Sequence, residues 1–94
     1  MNKKNFQEPL DTAVITTKYI VFGNSPILYV FHDEDGVWQF HGPEENINED
    51  DAAIIRLDEM IKIDDSILSV SDLPVGWQAM RKDIYSDWRI VSPY

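Results

Sequence analysis

The sequence predicts an α+β fold: a small antiparallel β-sheet with a central hairpin and one main helix packed on one face. Two observations predict it. Strand-like stretches rich in β-branched and aromatic residues fill the first half of the chain, and a stretch with helical spacing of apolar residues follows them. The chain has 94 residues, 44% of them hydrophobic, which suits one domain with one core. We assign residues 12–94 to this domain and residues 1–11 to a flexible N-terminal lead-in.

The first predicted strand covers residues 12–22, TAVITTKYIVF, because β-branched and aromatic side chains favour extended backbone. Gly23 and Pro26 follow it, and both residue types interrupt regular structure. The sequence therefore predicts one long strand that ends in a bend.

A hairpin is predicted from residues 27–32, ILYVFH, and residues 37–41, VWQFH, which flank the turn DEDG. A two- or four-residue loop would group four aromatic residues on one face: Tyr29, Phe31, Trp38 and Phe40. A three-residue loop ending in a glycine bulge would instead group Leu28, Val30, Trp38 and Phe40. The sequence leaves both registers open.

The second half of the chain predicts a strand, a helix and two closing strands. Residues 52–57, AAIIRL, read as a short buried strand, and Asp58 is placed to cap a helix over residues 59–70. The polar run DDS at residues 64–66 can end that helix and cap a second short turn. Two short segments then read as closing strands, residues 77–81 and 88–92.

The charge of the chain argues against a nucleic-acid partner. Seventeen acidic and eight basic residues give a formal net charge of −9, whereas phosphate contacts need Lys and Arg. No Lys or Arg lies between Lys18 and Arg56, an interval that holds eight carboxylates. We predict one acidic lobe, which serves either solubility or the docking of a basic partner. Its candidate partner-binding residues are Asp33, Glu34, Asp35, Glu44, Glu45, Glu49, Asp50 and Asp51.

Motifs for metal binding and catalysis are missing from the sequence. The turn DEDG resembles a calcium loop, but the EF-hand pattern would need an oxygen ligand at Phe31 and a glutamate at Gly42. In neither register of the hairpin can His32 and His41 share one metal ion. There is no cysteine, no nucleophile-elbow motif and no glycine-rich phosphate loop. We therefore expect no metal, no cofactor and no enzymatic activity.

Several spaced segments resemble a bacterial family, immunity-protein family number thirty-three of polymorphic toxin systems, first catalogued as a domain of unknown function. The resemblance runs from about residue 13 to Trp88 and rests on these residues: Thr16-Thr17-Lys18-Tyr19, Ser25-Pro26-Ile27, Asp33-Glu34-Asp35-Gly36, Trp38-Gln39-Phe40, Leu73-Pro74, Gly76-Trp77, Ala79 and Arg81. It implies a cytoplasmic protein that binds and neutralises a cognate toxin, and it supplies no catalytic or cofactor residues to transfer.

The expected partner is accordingly a cognate protein toxin, and an acidic lobe would suit a basic one. We expect no membrane partner, because no apolar run approaches the roughly 20 residues of a membrane span. The N-terminal segment lacks the apolar stretch of a secretory signal, which favours a cytoplasmic location. A monomer or weak dimer is expected. The alternatives are an adaptor or regulatory binding domain, and a small enzyme.

Overall fold

The computed structural model describes residues 4–94, which form a six-stranded sheet with short helices. The strands are β1 (Ala13–Thr17), β2 (Tyr29–His32), β3 (Trp38–His41), β4 (Ala52–Arg56), β5 (Gln78–Met80) and β6 (Arg89–Val91). The helices are α1 (Lys18–Gly23), α2 (Leu57–Ile63) and two 3-10 helices, Glu49–Asp51 and Asp65–Val70. The strand order is β4-β1-β3-β2-β5-β6, in which β1 and β3 are parallel and all other neighbours antiparallel. This confirms the α+β class, with the hairpin in the middle of the sheet.

The predicted strand over residues 12–22 is wrong beyond Thr17, because α1 begins there. The Thr17 hydroxyl oxygen accepts a hydrogen bond from the Ile20 backbone N–H at 3.3 Å and so caps the helix. Asn24 ends the helix in the left-handed conformation with φ 58°. The local cap outweighs the strand preference of the side chains that follow it.

The turn of the hairpin selects the second of the two predicted registers. Gly36 has φ 90°, and its N–H donates to the Asp33 carbonyl oxygen at 2.8 Å within a three-residue loop. Strand β2 therefore pairs Val30 with Phe40 and His32 with Trp38. These inward side chains are buried, and His32 and His41 point to opposite faces of the sheet.

The single predicted helix over residues 59–70 is two shorter helices, so the expectation of one main helix is corrected. Helix α2 begins at Leu57, one residue before the predicted cap Asp58, and it buries Leu57 and Met60. Asp64 then caps the second 3-10 helix by accepting from the Ser66 N–H at 2.9 Å, as the DDS run predicts.

Both closing strands are confirmed, and Arg81 just after β5 ties them to the helices. Its Nε donates to the Ile27 carbonyl oxygen at 2.9 Å, and its Nη2 lies 2.7 Å from Asp64 Oδ2. Its guanidinium also lies over the Trp88 ring, 4.2 Å from the centroid. An arginine satisfied in this way anchors the C-terminal strands to the core.

The N-terminal segment departs from the predicted flexible lead-in. Phe6 is buried and meets Trp38 edge-on, with ring centroids 4.9 Å apart. The Trp38 indole N–H donates to Glu8 Oε2 at 2.9 Å, and the His32 ring stacks on the Trp38 ring with centroids 3.9 Å apart. Residues 4–10 of the predicted lead-in thus include part of the core, while residues 1–3 lie outside the described part of the chain.

The sheet has two unlike faces. The core face carries Val14, Val30, Trp38, Phe40 and Ala79. The buried residues of α1, α2 and the second 3-10 helix belong to the same hydrophobic cluster. No helix of residues 4–94 has an apolar stretch sufficient to cross a bilayer. We call the opposite side the open face; its central residues are Ile15, Tyr29, Phe31, Gln39, His41, Ile54, Gln78 and Met80, and Arg56 and Arg89 lie on the same face at its two edges.

Candidate functional site

The eight predicted carboxylates do not form one lobe, because strand β3 separates them. Asp33, Glu34 and Asp35 lie in the turn before β3, and we call them the turn cluster. The loop cluster lies beyond the other end of β3 and consists of Glu44, Glu45, Glu49, Asp50 and Asp51. Four strand residues span about 13 Å at 3.3 Å each. The acidic interval therefore forms two clusters, one at each end of the sheet.

Within the loop cluster, Asp51 has a structural role. It is buried, it accepts a hydrogen bond from the Tyr19 hydroxyl at 3.1 Å, and it pairs with Lys18 Nζ at 3.1 Å. The Asn48 backbone N–H and then the Lys18 ammonium hold the pKa of Asp51 below its ordinary value, and the hydrogen bond to Asp51 raises the pKa of Tyr19. Asp51 fixes the loop to helix α1 and is not free to meet a partner.

Glu44 and Asp33 are also engaged within the chain. Glu44 accepts a hydrogen bond from the Ser25 hydroxyl, and its other carboxylate oxygen is buried without a hydrogen bond from residues 4–94. Asp33 accepts from Gln39 Nε2 at 2.7 Å. The carboxylates left at the surface are Glu34, Asp35, Glu45, Glu49 and Asp50.

An aromatic and aliphatic strip crosses the open face between the two clusters. Tyr29 and Phe31 stack with centroids 6.5 Å apart, and Phe31 meets the His41 ring edge-on at 5.8 Å. Ile15 lies beside Gln39 in the sheet, and Ile54 of the neighbouring strand is 71% exposed. The sequence could not single out this strip, because the two hairpin registers exchange the buried and exposed residues of β2.

A chain of hydrogen bonds runs along the strip. Gln39 Nε2 donates to Asp33, so the Gln39 amide oxygen faces His41 and accepts from His41 Nε2 at 2.9 Å. Burial lowers the pKa of His41 below its ordinary value, and the negative charge of Asp33, which acts to raise the pKa, offsets only part of this effect. At neutral pH the centre of the open face is therefore uncharged and its polar side chains are held in place.

A second partly apolar surface lies near the C-terminal strands, where Ile84, Tyr85 and Ile90 are exposed. An open groove of about 720 Å³ lies beside Arg81 and Trp88, and the Arg81 guanidinium there already donates to Ile27, Ser66 and Asp64. The groups of His, Asp and Glu within residues 4–94 include no set of three placed to hold a metal ion. The open face and its two acidic ends combine partly exposed apolar side chains with exposed carboxylates.

Comparison with known proteins adds no relative: no family model, curated protein or solved structure matches this chain.

Proposed function

We propose that this chain is a non-catalytic protein-binding domain that acts as an immunity protein, binding and neutralising a cognate bacterial toxin in the cytoplasm. The observation that carries the proposal is the pair of acidic clusters at opposite ends of one partly exposed sheet face. An inhibitor of this kind needs a stable scaffold and a complementary surface rather than a reactive centre. The resemblance of the spaced motifs from Thr16 to Arg81 to an immunity-protein family supports the same function.

Charge supports a basic toxin as the partner. Glu34 in the turn cluster and Glu49 in the loop cluster are exposed, and neither accepts a side-chain hydrogen bond from residues 4–94. Carboxylates left in water in this way steer a basic protein and accelerate its association. Because the Debye length falls from about 10 Å at 0.1 M salt to about 3 Å at 1 M, the association rate is expected to fall steeply with salt.

A protection assay tests the proposal. Cells that express the polypeptide encoded by the adjacent gene are scored for growth with the wild-type chain, with the Glu34→Lys/Glu49→Lys variant, or with the Asp65→Lys/Asp87→Lys variant. The last two change the net charge equally, but Asp65 and Asp87 lie outside both clusters. We expect protection by the wild type and the control, and weaker protection by the cluster variant. No protection by the wild-type chain would refute the immunity function.

An adaptor or regulatory binding domain is the second candidate, since the same surface would serve it. Binding of the adjacent gene product without any effect on its toxicity would favour that function.

A further inference from the structure

The open face combines three properties that the core face lacks. Its aromatic and aliphatic residues remain accessible, with Ile54 71% and Tyr29 37% exposed. Its central polar residues, Gln39 and His41, are fixed by hydrogen bonds. Its two ends carry exposed carboxylates, such as Glu34 at one end and Glu49 at the other. An apolar centre with a polar, charged periphery is the usual anatomy of a protein interface.

We propose that the open face is the central contact surface for a basic protein, which inserts an apolar patch over Tyr29 and Phe31 and sets cationic side chains against the two acidic clusters. This inference rests on the proposed function and deepens it, since it names the binding surface and the chemistry of the partner.

Charge argues for a different protein rather than a second copy as the occupant. Two copies packed face to face around a twofold axis would align their strands either in the same or in opposite directions. In the first case turn cluster meets turn cluster, and in the second turn cluster meets loop cluster. Like charges approach in both arrangements, which is unfavourable in a chain of net charge −9. A basic surface has no such conflict.

Size argues that the apolar strip and the acidic ends act together. Six strands spaced by about 4.8 Å give a sheet about 24 Å wide, and strands of four residues are about 13 Å long. The whole open face therefore covers roughly 300 Å², well below the roughly 800 Å² per partner of a stable interface. A stable complex needs the loops beyond both strand ends, where the carboxylates lie.

Cations do not interrupt the centre of the open face. Arg56 is at the end of the edge strand β4 and pairs with Asp58 at 3.0 Å, and Arg89 is at the start of the opposite edge strand β6. Between them the side chains that meet across the sheet, Ile15, Gln39 and Phe31, are neutral. A basic partner therefore meets no positive charge at the centre of the open face, where water must be expelled.

The test separates the two contributions by kinetics. Binding of the purified polypeptide from the adjacent gene is measured by surface plasmon resonance for the wild type, Phe31→Ala, Ile54→Ser and Phe22→Ala. Phe22 is the matched control, an aromatic residue on α1 that is 83% exposed. Phe31→Ala should raise the dissociation rate about tenfold or more and change the association rate less than about twofold. Ile54→Ser should act in the same direction, and Phe22→Ala should change neither rate.

The outcomes distinguish the inference from the proposed function. If Phe31→Ala and Ile54→Ser bind as the wild type does while Glu34→Lys/Glu49→Lys loses affinity, the open face is not the central contact and the inhibitory function stands. If the wild-type chain binds no basic protein from the adjacent gene, both fall. Ile54→Ser keeps the test decisive should Phe31→Ala fold poorly, because Ile54 is largely exposed. Self-association of the free chain that Ile54→Ser abolishes would assign the face to a second copy and overturn the inference.

Discussion

The two faces of the sheet use alternate residues of the same strands but differ in how far their side chains are buried. On β2 and β3 the core face presents Val30, Trp38 and Phe40, all of them buried, whereas the open face presents Tyr29 and Phe31, which remain accessible. Both faces contain aromatic residues, so hydrophobicity alone does not tell them apart. The difference lies in their burial: helices and Phe6 pack on one face, whereas the side chains of the other face are partly or largely exposed. Aromatic residues stabilise the fold on the first face and remain accessible to solvent on the second.

The largest expected difference in stability is between two phenylalanines on adjacent strands, one on each face. Phe40→Ala should lower the free energy of unfolding by about 3–5 kcal/mol, because it leaves a cavity in a closely packed core. Phe31→Ala on the adjacent strand should cost less than about 1.5 kcal/mol, since its side chain is only partly buried. Urea denaturation measures both. Equal costs would mean that the open face belongs to the core as well.

Two arginines at the C-terminal strands provide a second contrast. Arg81→Met should cost about 2–3 kcal/mol, because it removes charge-assisted hydrogen bonds and leaves the Ile27 carbonyl and Asp64 without their partner. Arg89→Met, at an exposed position of β6, should stay within about 0.5 kcal/mol of the wild type. Thermal unfolding of the two variants side by side checks this. An unchanged unfolding temperature for Arg81→Met would show that the hydrogen bonds of Arg81 add no net stability.

A smaller effect of opposite sign is expected at two adjacent threonines. Thr16 is fully buried on the core face, and its hydroxyl has no hydrogen-bond partner in residues 4–94. Thr16→Val should therefore stabilise the fold by about 1 kcal/mol. Thr17→Val removes the cap of α1 and should destabilise it by about 1 kcal/mol. Midpoints of denaturant unfolding measure both effects, provided that the variants and the wild type have the same m-value. A destabilised Thr16→Val would show that the Thr16 hydroxyl has a hydrogen-bond partner.

The smallest effect concerns His41 on the open face. Burial lowers the pKa of His41 in the folded chain, so as pH falls the imidazole is protonated in the unfolded chain before it is protonated in the folded one. Its contribution to stability is full above the ordinary histidine value of about 6.5 and is lost as pH falls to the folded-state pKa. An NMR titration should find the His41 midpoint below that ordinary value, and a basic partner covering the face should lower it further. A midpoint above the ordinary value would contradict the described surroundings.

Local signals in the sequence predict much of this fold. The hairpin, the closing strands and the Asp64 cap all follow from residues close together in the chain. Helix α1 escapes prediction because its residues favour strands and only the Thr17 cap starts the helix. The parallel pairing of β1 with β3 joins distant segments and leaves no local signal.

The candidate site is harder to predict than the fold. The sequence identifies the acidic interval, but β3 divides it, and Asp51 turns inward to Lys18 and Tyr19. Gly36 adopts φ 90° and so decides which side chains of β2 face the solvent. Since a shift of one residue exchanges the two faces, the open face emerges only once the turn geometry is known.

Methyl NMR of isoleucine tests the central claim, that the open face is the binding surface, most directly. Ile15 and Ile54 lie on the open face, and Ile63 and Ile84, 41% and 51% exposed, lie elsewhere and serve as internal controls. On addition of the basic polypeptide from the adjacent gene, we predict that the Ile15 and Ile54 methyl signals shift or broaden while those of Ile63 and Ile84 stay unchanged. Shifts at Ile63 and Ile84, with Ile15 and Ile54 unaffected, would contradict the account.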